Sequence, residues 1–99
     1  MGSKVRRSSG NVFRDLGFTE TDAENLRIRS ELMARLRKVI EDGGLTQARA
    51  ASMLGVSQPR VSDLVRGRID LFSIDTLVNL LAKAGIRVTV KVQARTRAA

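Results

Sequence analysis

The residues best suited to chemistry lie in one stretch, GVSQPRVSDLVRGR, at positions 55–68. Val61 and Leu64 have the spacing of the buried side of a short helix. The outer side of that helix is polar and consists of Gln58, Arg60, Ser62 and Asp63. In the major groove of DNA, a glutamine amide pairs with two positions of adenine and a guanidinium with two of guanine. The stretch therefore places side chains that are able to form such contacts on the outer side of a short helix.

The composition argues against catalysis. The 99 residues include no histidine and no cysteine. Without these residues the chain has no disulfide, no thiol nucleophile, no usual zinc ligand and few general bases. We therefore expect a protein that is not an enzyme and that uses no metal and no cofactor.

The charge favours a polyanionic partner. The formal net charge is +8 and comes mostly from arginine, which is typical of small proteins that bind nucleic acid. The alternative is a basic protein whose charge only keeps it soluble. No apolar run approaches the roughly 20 residues of a membrane span, and the N-terminus lacks the apolar core of a signal peptide. A cytoplasmic protein without a membrane partner is expected.

The chain is predicted to form one domain, residues 12–93. Residues 1–11 are small, polar and basic, which predicts a disordered arm, and residues 94–99 form a basic tail. The arm either follows a DNA backbone or minor groove, through Lys4, Arg6 and Arg7, or has no role. The segment NVFRDLGF is too apolar for a linker and too short to fold alone, so we expect it to dock either on the domain's own core or on a partner protein.

Capping signals and apolar spacing predict four helices. Thr21 and Glu24 match a capping box, so a long helix should begin near Asp22 and run to the glycines at 43 and 44. Thr46, Ser57 and Ser73 should cap three shorter helices. The second of these has a proline in its first turn, where no NH is required. Small Ala51 and a bend at Gly55 are what the turn of a helix-turn-helix needs, which places that motif at residues 46–66.

The C-terminal segment has a different period. Its apolar residues alternate with polar ones, which predicts a strand, and they are Ile86, Val88, Val90 and Val92. A single strand cannot satisfy its own backbone. We expect it to pair with the same strand of a second copy, or with a strand edge of another protein.

Residues 45–83 resemble the lambda-repressor-like domain of the Xre (Cro/cI) transcription regulators, chiefly through LTQARAASMLGVSQPRVSDLVRGR. The resemblance implies a mainly α fold of four to five helices, here followed by the C-terminal strand. Together with the alternating strand, which predicts a symmetric homodimer, it leads us to expect repression of transcription from a palindromic double-stranded operator. The recognition helices of such a dimer lie about 34 Å apart.

The wider arrangement is similar to the HigA-like antitoxins, whose partners are RelE-type ribonuclease toxins. An antitoxin that represses its own operon is therefore the expected function. Two alternatives stay open: a solitary Xre-type regulator of phage or host genes, and an interaction module that kept the fold without DNA binding.

The resemblance also assigns roles to individual residues. It places base reading at Ser57, Gln58, Pro59, Arg60, Ser62 and Asp63, and phosphate binding at Gln47, Arg66 and Arg68. Pro59 stands where a polar residue is usual and offers only apolar contact. Asp63 would repel phosphate unless it accepts from a cytosine amine or pairs with Arg60 or Arg66. The alternative is that Gln58 and Ser62 only solubilise the helix and that Arg60 only pairs with Asp63.

Overall fold

The computed structural model describes residues 10–94. The arm through residue 9 and the tail from residue 95 lie outside the described residues. The described part contains five α-helices and one 3-10 turn: α1 (Val12–Asp15), α2 (Glu20–Asp42), α3 (Gln47–Leu54), α4 (Gln58–Val65), the turn (Ile69–Leu71) and α5 (Ile74–Lys83). The predicted mainly α fold with a helix-turn-helix is confirmed.

One apolar core joins the helices. Leu36 of α2 and Leu77 of α5 are fully buried, and α2 packs along α5. The rest of the core comes from α2 to α5 and from Phe72, which follows the 3-10 turn. Its members are Met33, Ile40, Ala50, Ala51, Leu54, Val61, Leu64, Phe72, Leu80 and Leu81. Because α3 and α4 contact each other and share this core, the helix-turn-helix is held as one rigid unit. None of the described helices combines the length and the apolarity needed to cross a membrane.

The three shorter helices begin at the predicted caps. The side-chain oxygens of Thr46, Ser57 and Ser73 each accept a hydrogen bond from a backbone NH of the first helical turn, at 3.1 to 3.3 Å. Such bonds satisfy NH groups that have no partner inside the helix.

The start of α2 differs from the prediction. The N-cap is Thr19, whose hydroxyl oxygen accepts from the NH of Asp22 at 3.2 Å, and the predicted cap Thr21 lies inside the helix. The backbone of Thr19 is extended, with φ −61° and ψ 160°, and the helix begins at the next residue, Glu20. The earlier start makes α2 a helix of 23 residues.

Of the two surfaces on which the segment NVFRDLGF could dock, the structure shows the domain itself, because α1 packs on α2. Asn11 caps α1, its Oδ1 accepting from the NH of Phe13 at 2.9 Å, and its Nδ2 donates to the carbonyl of Ala23 at 3.1 Å. Asn11 is buried, so this residue belongs to the folded domain and not to the arm. The ring of Phe13 meets that of Phe18 edge to face, with centroids 6.3 Å apart.

The predicted C-terminal strand is not found in the described residues. Ile86 and Val88 pack against the core, whereas Val90 and Val92 are 77% and 89% exposed. The physical reason is the absence of a neighbouring edge: the described part of one chain contains no strand with which this segment could form a ladder.

Candidate nucleic-acid interface

The bend between α3 and α4 is built as a helix-turn-helix requires. Gly55 ends α3 with φ 70° and ψ 33°, in the left-handed region that other residues seldom adopt. The NH of Val56 then donates to the carbonyl of Ala51 at 3.0 Å. Since Ala50 and Ala51 are buried, the two helices can approach closely. The bend sets the direction in which α4 leaves the core.

The first turn of α4 is presented to solvent. Val61 and Leu64 are fully buried and anchor the inner side of the helix, whereas Ser57, Gln58 and Pro59 are exposed. The Ser57 oxygen accepts from the Arg60 NH, so its hydroxyl proton remains available for another acceptor. Ser62 and Asp63, one turn later, are half-buried. The predicted base-reading residues other than Arg60 thus lie on the outer side of α4, and the most exposed of them are in its first turn.

Arg60 takes a different direction. Its Nη1 donates to the carbonyl oxygen of Leu71 at 2.9 Å. Its guanidinium carbon lies 3.9 Å from the centroid of the Phe72 ring. The side chain is therefore directed along the segment that follows α4, and the alternative of a pair with Asp63 is not what the described contacts show.

Two of the predicted phosphate-binding residues lie in the α4–α5 loop, which we define as residues 66–73. Arg66 and Arg68 are exposed on either side of Gly67. The NH of Arg68 donates to the carbonyl of Asp63 at 3.0 Å, so the loop follows α4 directly. The Nε of Arg68 lies 3.4 Å from an oxygen of Asp70. An exposed pair of this kind is weak, which leaves Arg68 free to exchange Asp70 for a phosphate.

The remaining predicted phosphate ligand, Gln47, is exposed at the N-terminus of α3. It lines a surface groove together with Arg37 of α2 and Val65 of α4. The same Arg37 lies next to the loop, because a Cβ placed on Gly67 would be 3.4 Å from its Nη1. Arg37 of α2 therefore lies between the start of α3 and the loop that follows α4. No local signal could have found Arg37, since the loop that it meets is far along the chain.

Charge is distributed unevenly over the described residues. Residues 10–31 contain five acidic and three basic side chains, whereas residues 32–94 contain ten basic and five acidic ones. The helix-turn-helix and its loop belong to the second part. Among the described residues, the positive charge that would attract a polyanion is therefore concentrated in the part of the chain that carries α3, α4 and the loop.

Comparisons with known proteins agree with this geometry. The family described as "Helix-turn-helix domain" matches residues 12–93. A solved structure whose name assigns it to the XRE family of transcriptional regulators is 36% identical in sequence, with a TM-score of 0.69. That match covers 79% of this chain and 90% of the other. No curated protein matches the chain.

Proposed function

Because this chain belongs to the helix-turn-helix family of XRE-type DNA-binding regulators, we propose that it represses transcription by binding one operator sequence through α4. The observation that carries this proposal is the exposed first turn of α4, where Gln58 and Pro59 lie beside the capping Ser57. Contacts from Gln47, Arg66 and Arg68 to phosphates would fix the register of the helix. Contacts from α4 to base edges would then select the sequence.

The proposal is tested by retardation of a duplex taken from upstream of this gene, at physiological salt and with excess nonspecific DNA. Gln58→Ala should lose the specific complex, because removal of the contact between Gln58 and its base pair costs about 1 to 3 kcal/mol of binding free energy. Asn79→Ala, which removes an exposed amide from α5, is the matched control and should bind like the wild type. Equal retardation of specific and nonspecific duplexes by the wild type would contradict the proposal.

We propose in addition that two copies bind as a symmetric homodimer on a palindromic operator. One helix-turn-helix reads only a half-site, and two recognition helices can reach successive major grooves about 34 Å apart. The support is the C-terminal segment, residues 86–93. Ile86 and Val88, at the start of the segment, pack on the core, whereas Val90 and Val92, farther along it, are exposed. Two such segments paired across a two-fold axis would supply each other's missing strand edge.

Sedimentation at micromolar concentration tests the dimer. The wild type should sediment as a dimer, and Val90→Lys with Val92→Lys should shift it to the monomer. Arg87→Lys, a change on an exposed residue of the same segment, is the control. Sedimentation of the wild type as a monomer at this concentration would contradict the dimer proposal.

A second function, neutralisation of a ribonuclease toxin, is favoured by the α1 surface, which we define as Val12, Leu16 and Phe18. These side chains are 60%, 70% and 48% exposed, and among the described residues 10–31 that surround them in sequence, five are acidic and three are basic. A ribonuclease of the RelE type must hold a polyanion and so needs a basic face. An apolar surface with acidic surroundings complements such a face. A solitary regulator remains the alternative, in which α1 has no partner.

Growth of cells that produce the ribonuclease encoded beside this gene tests the second function. The wild type should restore growth, whereas Val12→Lys with Leu16→Lys should not, although this variant should still retard the operator. Ala34→Lys, at an exposed position of α2, should behave like the wild type. Normal growth after deletion of the gene, with no ribonuclease gene adjacent, would favour the solitary regulator instead.

A further inference from the structure

The side chain of Arg60 connects the first turn of α4 to the far end of the α4–α5 loop. Its Nη1 reaches the Leu71 carbonyl at 2.9 Å, across 11 residues of sequence. Its backbone NH is held at the same time by the oxygen of Ser57. Arg60 is thus engaged within the protein at both its backbone and its guanidinium, and its side chain is half-buried.

The ring beneath the guanidinium is part of the core. Phe72 is fully buried among the core residues, so its ring cannot move without disturbing them. A cation over such a ring is attracted by the negative potential of the ring face. The planar guanidinium combines this stacking with the hydrogen bond to Leu71, which an ammonium group would do less well.

A second arginine holds the loop from another side. The Nη1 of Arg29 in α2 donates to the carbonyl of Ile69 at 3.3 Å. The 3-10 turn is therefore fixed by side chains from two helices, and Arg66 and Arg68 lie directly before it. Any change in the angle between α4 and the turn would move these two arginines relative to the first turn of α4.

Base reading would require Arg60 to leave this arrangement. A guanidinium that recognises guanine directs two parallel donors at the base edge. In the structure one donor is used by Leu71 and one face is covered by Phe72. The two contacts therefore direct the guanidinium along the α4–α5 loop and restrain it from turning toward a base edge.

We propose that Arg60 is a positioning residue: it braces α4 against the α4–α5 loop and so sets the separation between the base-reading turn and the phosphate-binding arginines. This inference rests on the proposed function and replaces the base-reading role that the sequence predicts for Arg60. Base reading is then left to the exposed turn of α4 and to Ser62 and Asp63.

The first experiment measures specificity. An operator is selected from a random duplex library with the wild type, and affinities are then measured for every single-base-pair variant of it. Arg60→Met should weaken binding to each duplex by about 5- to 20-fold, while the ratio between the selected site and each variant changes by less than about twofold. Loss of discrimination at one base pair only would overturn the proposal. Arg35→Met, which removes the same charge from an exposed position of α2, is the control.

The second experiment needs no DNA. Thermal unfolding is measured for the wild type, Arg60→Met, Phe72→Leu and the double variant. Arg60→Met should lower Tm by about 4 to 8 °C, and by clearly less in the Phe72→Leu background, because the two side chains share one contact. Gln58→Ala should leave Tm unchanged. Additive shifts of Tm would overturn the brace. If Phe72→Leu is too unstable to measure, Arg60→Lys takes its place and should reproduce part of the decrease in Tm.

The two experiments separate this inference from the proposed function. If the wild type enriches no duplex, the proposed function fails, while the unfolding data still decide whether Arg60 braces α4 on Phe72. If a duplex is enriched and Arg60→Met abolishes discrimination at one pair, the proposed function stands and only the brace is wrong.

Discussion

Arginine side chains have three different kinds of surroundings in this protein. Arg60 lies on Phe72 and holds a loop. Arg66 and Arg68 are exposed and available to a polyanion. Arg27 is paired with Glu24 and Glu31, and its hydrogen bond to Glu24 is the main cause that raises its pKa above the ordinary value. Residue type alone therefore does not assign a role, since the groups within reach decide it.

Removal of a phosphate-binding arginine should weaken binding to every sequence alike. Arg66→Ala or Arg68→Ala should reduce the slope of log affinity against log salt by about one unit, because one fewer counterion is released. The measurement is fluorescence anisotropy at several salt concentrations. Arg27→Ala, which removes the same charge from a site paired with two glutamates, should leave the slope nearly unchanged. A change confined to one base pair would show that the arginine reads sequence instead.

At the scale of the elements, α4 depends on its N-cap. It has only eight residues, and helices this short form in proteins mainly because caps and tertiary contacts hold them. Ser57 supplies the cap and lies at the exposed turn as well. Ser57 therefore contributes both to the stability of α4 and to the exposed surface of its first turn.

Ser57→Ala should destabilise the protein by about 1 kcal/mol, because the NH of Arg60 loses its acceptor. Ser57→Gly should cost only a few tenths of that amount, since glycine is itself tolerated at this position. Urea unfolding measures both. Ser52→Ala, in the exposed middle of α3, is the control and should have no cost. Equal stability of Ser57→Ala and the wild type would mean that packing alone holds α4.

For the whole molecule, one small core stabilises every element that positions the interface. Leu36 lies at its centre on α2 and is fully buried. The free energy of unfolding of native proteins is about 5 to 15 kcal/mol. The loss of a single large buried side chain therefore removes a substantial part of that free energy.

Leu36→Ala should destabilise the domain by about 2 to 5 kcal/mol, from lost burial and the cavity left behind. Leu16→Ala, on the α1 surface where the side chain is 70% exposed, should cost little. Thermal unfolding followed by circular dichroism compares the two. Similar Tm values for both variants would contradict the assignment of the core.

Local chemistry explains why much of the molecule was predictable. The caps at Thr46, Ser57 and Ser73 act over three residues, and the bend at Gly55 needs only the residue itself. The inner residues of α4 follow from helical spacing. Interactions of such short range are determined by the neighbouring sequence, so the sequence by itself determined the helix-turn-helix, its bend and the exposed first turn of α4.

Tertiary structure decided what depends on distant residues. Helical spacing put Arg60 on the outer side of α4, but Leu71 and Phe72 draw it onto the loop. Arg37 gains its place by Gly67 in the same way. The alternating C-terminal segment forms no strand in the described residues, because alternation provides a face but not a neighbouring edge. Long side chains and unpaired backbones take whichever partner the fold brings close, and the order of residues along the chain does not specify that partner.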